Sequence, residues 1–242
     1  GKVSVRRKLR VAYFSTGDEL RSTGEPLDEG CIYDSNGYTL HGMLLRMGCE
    51  PIDMGVIKDD PASLETALRR ACVDADVVIT SGGVSAGDAD YTRKMMTRLG
   101  DVLFWKIDMR PGRPMAFGRI ASGNDSALLF GLPGNPVATM VSFYFFAREA
   151  LYRLMGAQPP DVLTVRATSR QSLRKKPGRT EYQRGVLSVD AQGLQSVRIT
   201  GSQGSGILSS MSEANCMVIL HHDQGDVKAG DSVDVMLFQG LI

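Results

Sequence analysis

Up to about Gly156 the chain alternates short apolar runs with stretches of helical periodicity, and after Pro159-Pro160 the helical pattern stops. Strand, helix, strand, helix in that order builds a mainly parallel sheet with helices on both faces. Leu9-Arg-Val-Ala-Tyr-Phe-Ser15 reads as a buried strand, and Glu50 to Ile57 as a second. Asp76 to Ser81 is a third, apolar enough to be covered on both faces. Asp34-Ser-Asn36 offers N-caps for a helix with Leu40, Leu44 and Leu45 on one face, ended by Gly48. Asp60 caps a second helix, with Pro61 at its first position and Leu64, Leu68 and Ala71 on its apolar stripe. Asp90 to Leu99 reads as helical. Val102 to Ile107, Met115 to Ile120 and Ala127 to Phe130 read as strands, and Pro136 opens a long helix to about Met155.

Beyond Pro160 the apolar segments are short and roughly alternating: Val162 to Thr168, Glu181 to Val189, Gln195 to Thr200, Cys216 to His221 and Ser232 to Leu237. Turns such as Asp190-Ala-Gln-Gly193 separate them, the pattern of a small barrel or sandwich. The expected fold class is therefore α/β: a three-layer, mainly parallel sheet with helices on both faces over residues 1–157, with 1–8 as a linker. A small all-β barrel domain follows over 158–242.

Charge and cysteine usage narrow the partners. The 28 basic and 27 acidic side chains nearly cancel, which leaves no electrostatic footprint for nucleic acid. No apolar run approaches the roughly 20 residues of a membrane span, and the basic opening stretch has no signal core behind it. Cys31, Cys49, Cys72 and Cys216 show no metal-ligand spacing with the three histidines and read as free thiols. These absences point to the cytoplasm.

Four features can carry chemistry. Ser15-Thr-Gly-Asp-Glu-Leu20 follows the first strand, where ligands of open parallel sheets bind. It offers Thr16, Gly17 and the acids Asp18 and Glu19; its bland alternative is a solvated turn. Thr80-Ser-Gly-Gly-Val-Ser-Ala-Gly-Asp-Ala-Asp90 follows the third strand. Its Gly82 and Gly83 let backbone N–H groups approach an anion, Ser81 and Ser85 add hydroxyls, and a helix start follows. It matches neither a Walker A loop nor the dinucleotide fingerprint, and a ligand-free turn is the alternative. Gly131-Leu-Pro-Gly-Asn-Pro136 stiffens a third loop with Pro133, Gly134, Asn135 and Pro136. Finally, Asp59, Asp60, Asp90 and Glu19 could hold Mg²⁺ through oxygen ligands, and Lys106, Arg110 and Arg113 could hold an oxyanion. Asp60 also reads as a helix cap. His41, His221 and His222 fit no triad, and Met95-Met96 reads as core.

Taken together, Thr16-Gly-Asp-Glu-Leu20, Asp34-Ser-Asn36, Ser81-Gly-Gly-Val-Ser85 with Asp90-Tyr91, Pro111-Gly-Arg-Pro114 and Leu132-Pro-Gly-Asn-Pro136 resemble the molybdopterin-binding domain of the MoeA and gephyrin E family. The resemblance covers about Lys8 to Met155; the β tail is similar to that family's C-terminal barrel in position and pattern. It implies a cytoplasmic transferase of molybdenum-cofactor biosynthesis, converting adenylated molybdopterin and molybdate to cofactor and AMP with a divalent cation, expected to be Mg²⁺. Glu19, Asp59 and Asp90 match family positions implicated in function and are the expected metal ligands. Lys106 and Arg110 match two basic positions proposed to receive molybdate, the second commonly Lys in relatives. Pro133 and Pro136 match the loop prolines. Family members normally carry two further domains before this region, which implies a fragment or truncated relative, a homodimer for the full-length form, and a molybdopterin adenylyltransferase as pathway partner.

Two rival readings stand beside this one. A MogA-type molybdopterin adenylyltransferase shares the α/β domain and would form the adenylate rather than consume it. A non-catalytic pterin-binding or scaffold module would bind without turnover.

Overall fold

A computed structural model describes residues 2–84 and 95–238. They divide into two compact units. The first holds residues 1–106, 114–135 and 139–159, and the second holds 107–113, 136–138 and 160–242.

The first unit is built on a six-stranded sheet. Its strands are β1 (Arg10–Thr16), β4 (Glu50–Ile57), β5 (Val77–Ser81), β6 (Gly100–Lys106), β8 (Pro114–Ser122) and β9 (Asp125–Leu132), in the spatial order β4-β1-β5-β9-β8-β6. β4, β1, β5 and β9 are mutually parallel. β8 is antiparallel to both β9 and β6. The reversal of β8 has a local cause. Only Gly123-Asn124 separates Ser122 from its partner Asp125, and a two-residue connection closes a hairpin, never a parallel pair. Gly123 takes φ +62, the left-handed conformation such a turn requires. A small pair outside this sheet, β2 (Leu20–Arg21) with β3 (Ile32–Tyr33), ties the loop after β1 to the start of the first helix.

Strand alternation assigns the two faces. Ala12, Phe14 and Val78 pack with Leu64, Ala67, Leu68 and Ala71 of α2 (Pro61–Asp74). Tyr13 faces the other way and meets His41 of α1 (Asn36–Arg46), so helices cover both faces. Leu40 and Leu44 of α1 are buried as their spacing predicts, but Leu45 is exposed and Met43 takes the third inward position. Steps of three and four return to the same helix face, whereas a step of five from Leu40 does not. Asp60 caps α2, accepting from the N–H groups of Ala62 and Ser63. Residues 95–99 are helical, and Met95 and Met96 are core. The helix after Pro136 is interrupted. It runs Pro136–Ser142, passes through a π-helical turn at Phe143–Ala147, and resumes as Arg148–Leu154. The buried Arg148 guanidinium lies 4.8 Å over the Tyr144 ring.

The second unit is a closed barrel. β10 (Thr164–Ser169), β14 (Ser232–Leu237), β13 (Cys216–Leu220), β11 (Thr180–Val189) and β12 (Gln195–Ile199) pair in a ring, closed by β11 with β12, and β7 (Met109–Arg110) adds to β11. Closure removes the open edges that a five-stranded sheet would expose. Its core includes Ala167, Val197, Val218, Leu220, Val233 and Val235.

On the barrel's outside, Asp234 accepts from Arg166 at 2.9 Å and meets His221 Nε2 at 2.6 Å. Those two bonds hold the Asp234 carboxyl below its ordinary 3.8. A depressed carboxylate contributes stability that is complete above its unfolded value and is lost as pH falls through the folded one. Between pH 5 and pH 3 the melting temperature of the native chain should therefore fall further than that of Asp234→Asn. Parallel melting curves would remove this contribution.

Candidate active site

Because β1, β4, β5 and β9 run parallel, their carboxyl ends open on one edge of the sheet, and the loops that leave them meet there. The contact is made by glycine. Gly82 takes φ +97, and a Cβ there would overlap the Thr16 carbonyl oxygen. A Cβ on Gly134 would lie 3.5 Å from the Gly82 Cα. The Gly82 N–H donates to the Leu132 carbonyl at 3.0 Å. The loops after β1, β5 and β9 thus meet, and at Gly82 the approach to Thr16 is one that only a residue without a side chain allows, whereas a Cβ on Gly134 would make an ordinary contact.

One buried side chain clamps two of these loops. Asn36, 5% exposed, donates from Nδ2 to Ser81 Oγ at 2.7 Å and to the Gly134 carbonyl at 2.6 Å. Ser81 Oγ and Thr139 Oγ1 both donate to the Pro133 carbonyl. Asp34 holds the clamp from behind. Its Oδ1 accepts from Ser15 Oγ and from the N–H groups of Asn36 and Gly37. Asp34, rather than the N-cap residue Ser35, therefore satisfies the first N–H groups of α1. The groups in this cluster lose water on burial, and the bonds donated by Asn36, Ser81 and Thr139 hold the loop geometry, while Asn36 Oδ1 is buried with no partner among the described residues.

The rim is acidic. Thr16 Oγ1 donates to Asp59 Oδ1 at 3.3 Å, and the Asp59 N–H donates to Asp18 Oδ1 at 3.3 Å. Glu19 folds its carboxylate over Gly17, where a Cβ would lie 2.6 Å from Oε2. Among the described residues the acid brought to Asp59 by hydrogen bonding is thus Asp18. All of these donors are oxygens, the kind a hard divalent cation takes. Among the described residues alone, no group of three His, Cys, Asp or Glu side chains gathers to hold a metal. Asp90 and Ser85 lie outside the described residues.

The remaining sequence candidates are dispersed. Pro133 is buried, while Gly134 and Asn135 are exposed at the loop crest. Pro136 opens the helix, but Asn135 makes no side-chain cap and the Val137 N–H is taken by the Ser205 carbonyl. That uses part of the open helix start expected there. Lys106 ends β6 in the first unit, exposed, and Arg110 lies in the second.

Two residues escaped the sequence reading as site candidates. Asn36 was legible as part of a helix start and of the Asp34-Ser-Asn36 motif, but not as a residue that holds the site. Arg184 carried no signal, since nothing in its neighbourhood marks it as buried. It is 1% exposed, with Nε donating to Ser210 Oγ and a terminal nitrogen to the Gly204 carbonyl. No carboxylate pairs with it among the described ion pairs. Burial, reinforced by repulsion from Arg110, pulls its guanidinium down to about 10.

The family model described as "Probable molybdopterin binding domain" matches residues 12–153, and "MoeA C-terminal region (domain IV)" matches residues 166–238. A Haemophilus influenzae protein named molybdopterin molybdenumtransferase is 40% identical, over 100% of this chain and 59% of its own length. A Nostoc protein of the same name is 35% identical, over 97% of this chain and 54% of its own. The chain thus spans somewhat more than half the length of these relatives. Among solved structures, a molybdopterin biosynthesis MoeA protein from Pyrococcus horikoshii superposes with a TM-score of 0.79 at 30% identity, covering 96% of this chain and 55% of that one.

Proposed function

The chain belongs to the MoeA family, carrying its molybdopterin-binding domain and its C-terminal domain IV, and on that premise we propose that it serves molybdenum-cofactor biosynthesis by inserting molybdate into adenylated molybdopterin with release of AMP. The observation that supports this most is the glycine-to-backbone junction of the β1, β5 and β9 loops, with Gly82 pressed on Thr16 beside Gly134. It brings the backbones of these loops together at the carboxyl ends of the strands, where an anionic substrate would find main chain rather than bulky side chains.

In this reading Asn36, Ser81 and Thr139 hold the loops, so that the phosphate oxygens of the substrate meet a rigid floor rather than one that must reorganise. Gly83, Gly134 and Asn135 line it; Gly17 and Asp18 shape the rim beside Thr16. Glu19, Asp59 and Asp90 hold Mg²⁺, which when bound neutralises charge developing on the phosphate oxygens. Asp59 is oriented for that by Thr16. The family resemblance assigns Lys106 and Arg110 each to molybdate. Within the second unit, Arg184, with no carboxylate partner among the described ion pairs, adds positive charge near Arg110. The full-length enzyme acts as a cytoplasmic homodimer, supplied by a molybdopterin adenylyltransferase.

The test is AMP release from adenylated molybdopterin, with and without Mg²⁺ and molybdate. Release that needs both is expected. Formation of the adenylate from molybdopterin and ATP would instead favour the adenylyltransferase reading, and binding without release a non-catalytic module. Arg184→Met should weaken molybdate binding about tenfold, the scale of one charge-assisted hydrogen bond. Its melting temperature should fall as well, since Ser210 Oγ and the Gly204 carbonyl lose their donor, so the molybdate affinity is read on folded protein below that transition. Unchanged molybdate affinity by calorimetry would remove Arg184 from this role.

A further inference from the structure

A concavity with a volume of about 250 Å³ lies on the α1 side of the sheet. That is room for about eight water molecules, or one fused bicyclic ring. Its wall is anionic and aromatic: Asp34, Asp53, Tyr13, His41 and Tyr38 line it. Asp34 is only 7% exposed. Its Oδ1 accepts three hydrogen bonds, while its Oδ2 accepts none among the described residues. Gly37 keeps that oxygen open. Its φ is not positive, so the backbone does not require glycine, yet a Cβ there would lie 2.7 Å from Asp34 Oδ2. Asp34 cannot easily yield, because its other oxygen is pinned.

Asp53 stands opposite Tyr13 in the parallel register of β1 and β4, so both side chains leave the same sheet face. The Tyr13 hydroxyl meets His41 Nδ1 at 2.9 Å. Burial first, then the charge of Asp53, raises the phenol well above its ordinary value, so it remains protonated. Tyr38, 65% exposed, offers a free ring face at the mouth.

Two carboxylates repel phosphate and molybdate and select hydrogen-bond donors. We propose that this cavity, walled by Asp34, Gly37, Tyr38 and Asp53, is the seat of the substrate's pterin ring, whose exocyclic amino group and adjacent ring N–H face the carboxylates. The inference rests on the proposed function for its choice of substrate. Adenine is the other amino-heterocycle of an adenylated pterin. Its amino group is flanked by ring nitrogens that accept, and a carboxylate repels acceptors. The pterin edge presents two donors side by side. The ring would then lie against Tyr38 while the phosphates reach the glycine junction, to which Asp34 is tied through Asn36.

The experiment is a binding titration of the full chain with free pterin, with lumazine (the same bicycle bearing a carbonyl in place of the amino group) and with adenosine. Pterin should bind, and lumazine about tenfold more weakly, the scale of one hydrogen bond to a charged group. Gly37→Ala should weaken pterin by a similar factor. Tyr38→Ala, at an exposed position that folding does not need, should do so too through lost stacking. Equal pterin affinity in the native chain and both variants would overturn the assignment. So would equal binding of lumazine, binding of adenosine alone, or no pterin binding at millimolar concentration. The AMP-release assay is read separately: molybdate-dependent release that persists in Tyr38→Ala with unchanged pterin affinity would refute this seat and leave the molybdotransferase reading intact.

Discussion

Gly82→Ala should lower the melting temperature by about 5–15 °C and abolish ordered binding at the loop junction. Two costs add. A non-glycine residue at φ +97 is strained by about 1–2 kcal/mol. The added methyl also overlaps the Thr16 carbonyl oxygen, which is backbone and cannot rotate away. Overpacking of that kind costs about 1–3 kcal/mol more. Gly30→Ala separates the two, because Gly30 has φ +82 and open space around its missing Cβ. It should show the strain alone. Equal melting shifts in the two variants would mean that the β1 and β5 loops are not in contact.

Asp59→Asn should reduce cation-dependent AMP release by about a hundredfold or more, the usual scale for removing one electrostatic group from a transition state. Folding should barely respond. Asparagine keeps an oxygen that can accept from Thr16 and a backbone N–H that can donate to Asp18, so the local bonds survive while the charge goes. If Mg²⁺-dependent release in Asp59→Asn matched the native rate, Asp59 would have no part in holding the cation. A large loss of melting temperature would instead mark it as a structural acid.

The strand and helix order was legible because each element carries its own local signal. Asp60-Pro61 announces a capped helix, and the α2 stripe of Leu64, Leu68 and Ala71 is buried as its spacing requires. The hairpin at Gly123-Asn124 was just as local, but was read only as a gap between strands, so the reversal of β8 went unseen. The loops at the strand ends were legible as places, since their chemistry and position coincide. Their connections were not. The bonds from Asn36 to Ser81 and Gly134 join residues distant in sequence, and no periodicity reports a long-range side-chain clamp. Arg184 was missed for a different reason: it alternates outward from the barrel core, opposite Met217, and is buried by the segment carrying Gly204 and Ser210, a long-range cover that strand periodicity does not report. Lys106 and Arg110 read as one cationic cluster because only three residues separate them, whereas the chain changes unit between them.

That change of unit has a consequence for genetics. The second unit is assembled from residues 107–113, 136–138 and 160–242, so its barrel borrows β7 from inside the run that builds the first. A stop codon after Pro159 would not release a self-sufficient α/β module. It would leave Met109 and Arg110 stripped of Thr180 and Glu181, a bare strand edge open to pairing with other chains. Recombination between relatives meets the same obstacle. A crossover at Pro159-Pro160 inherits β7 from one parent and β11 from the other, so those two strands must change together, and the familiar picture of domains shuffled like beads does not describe this chain.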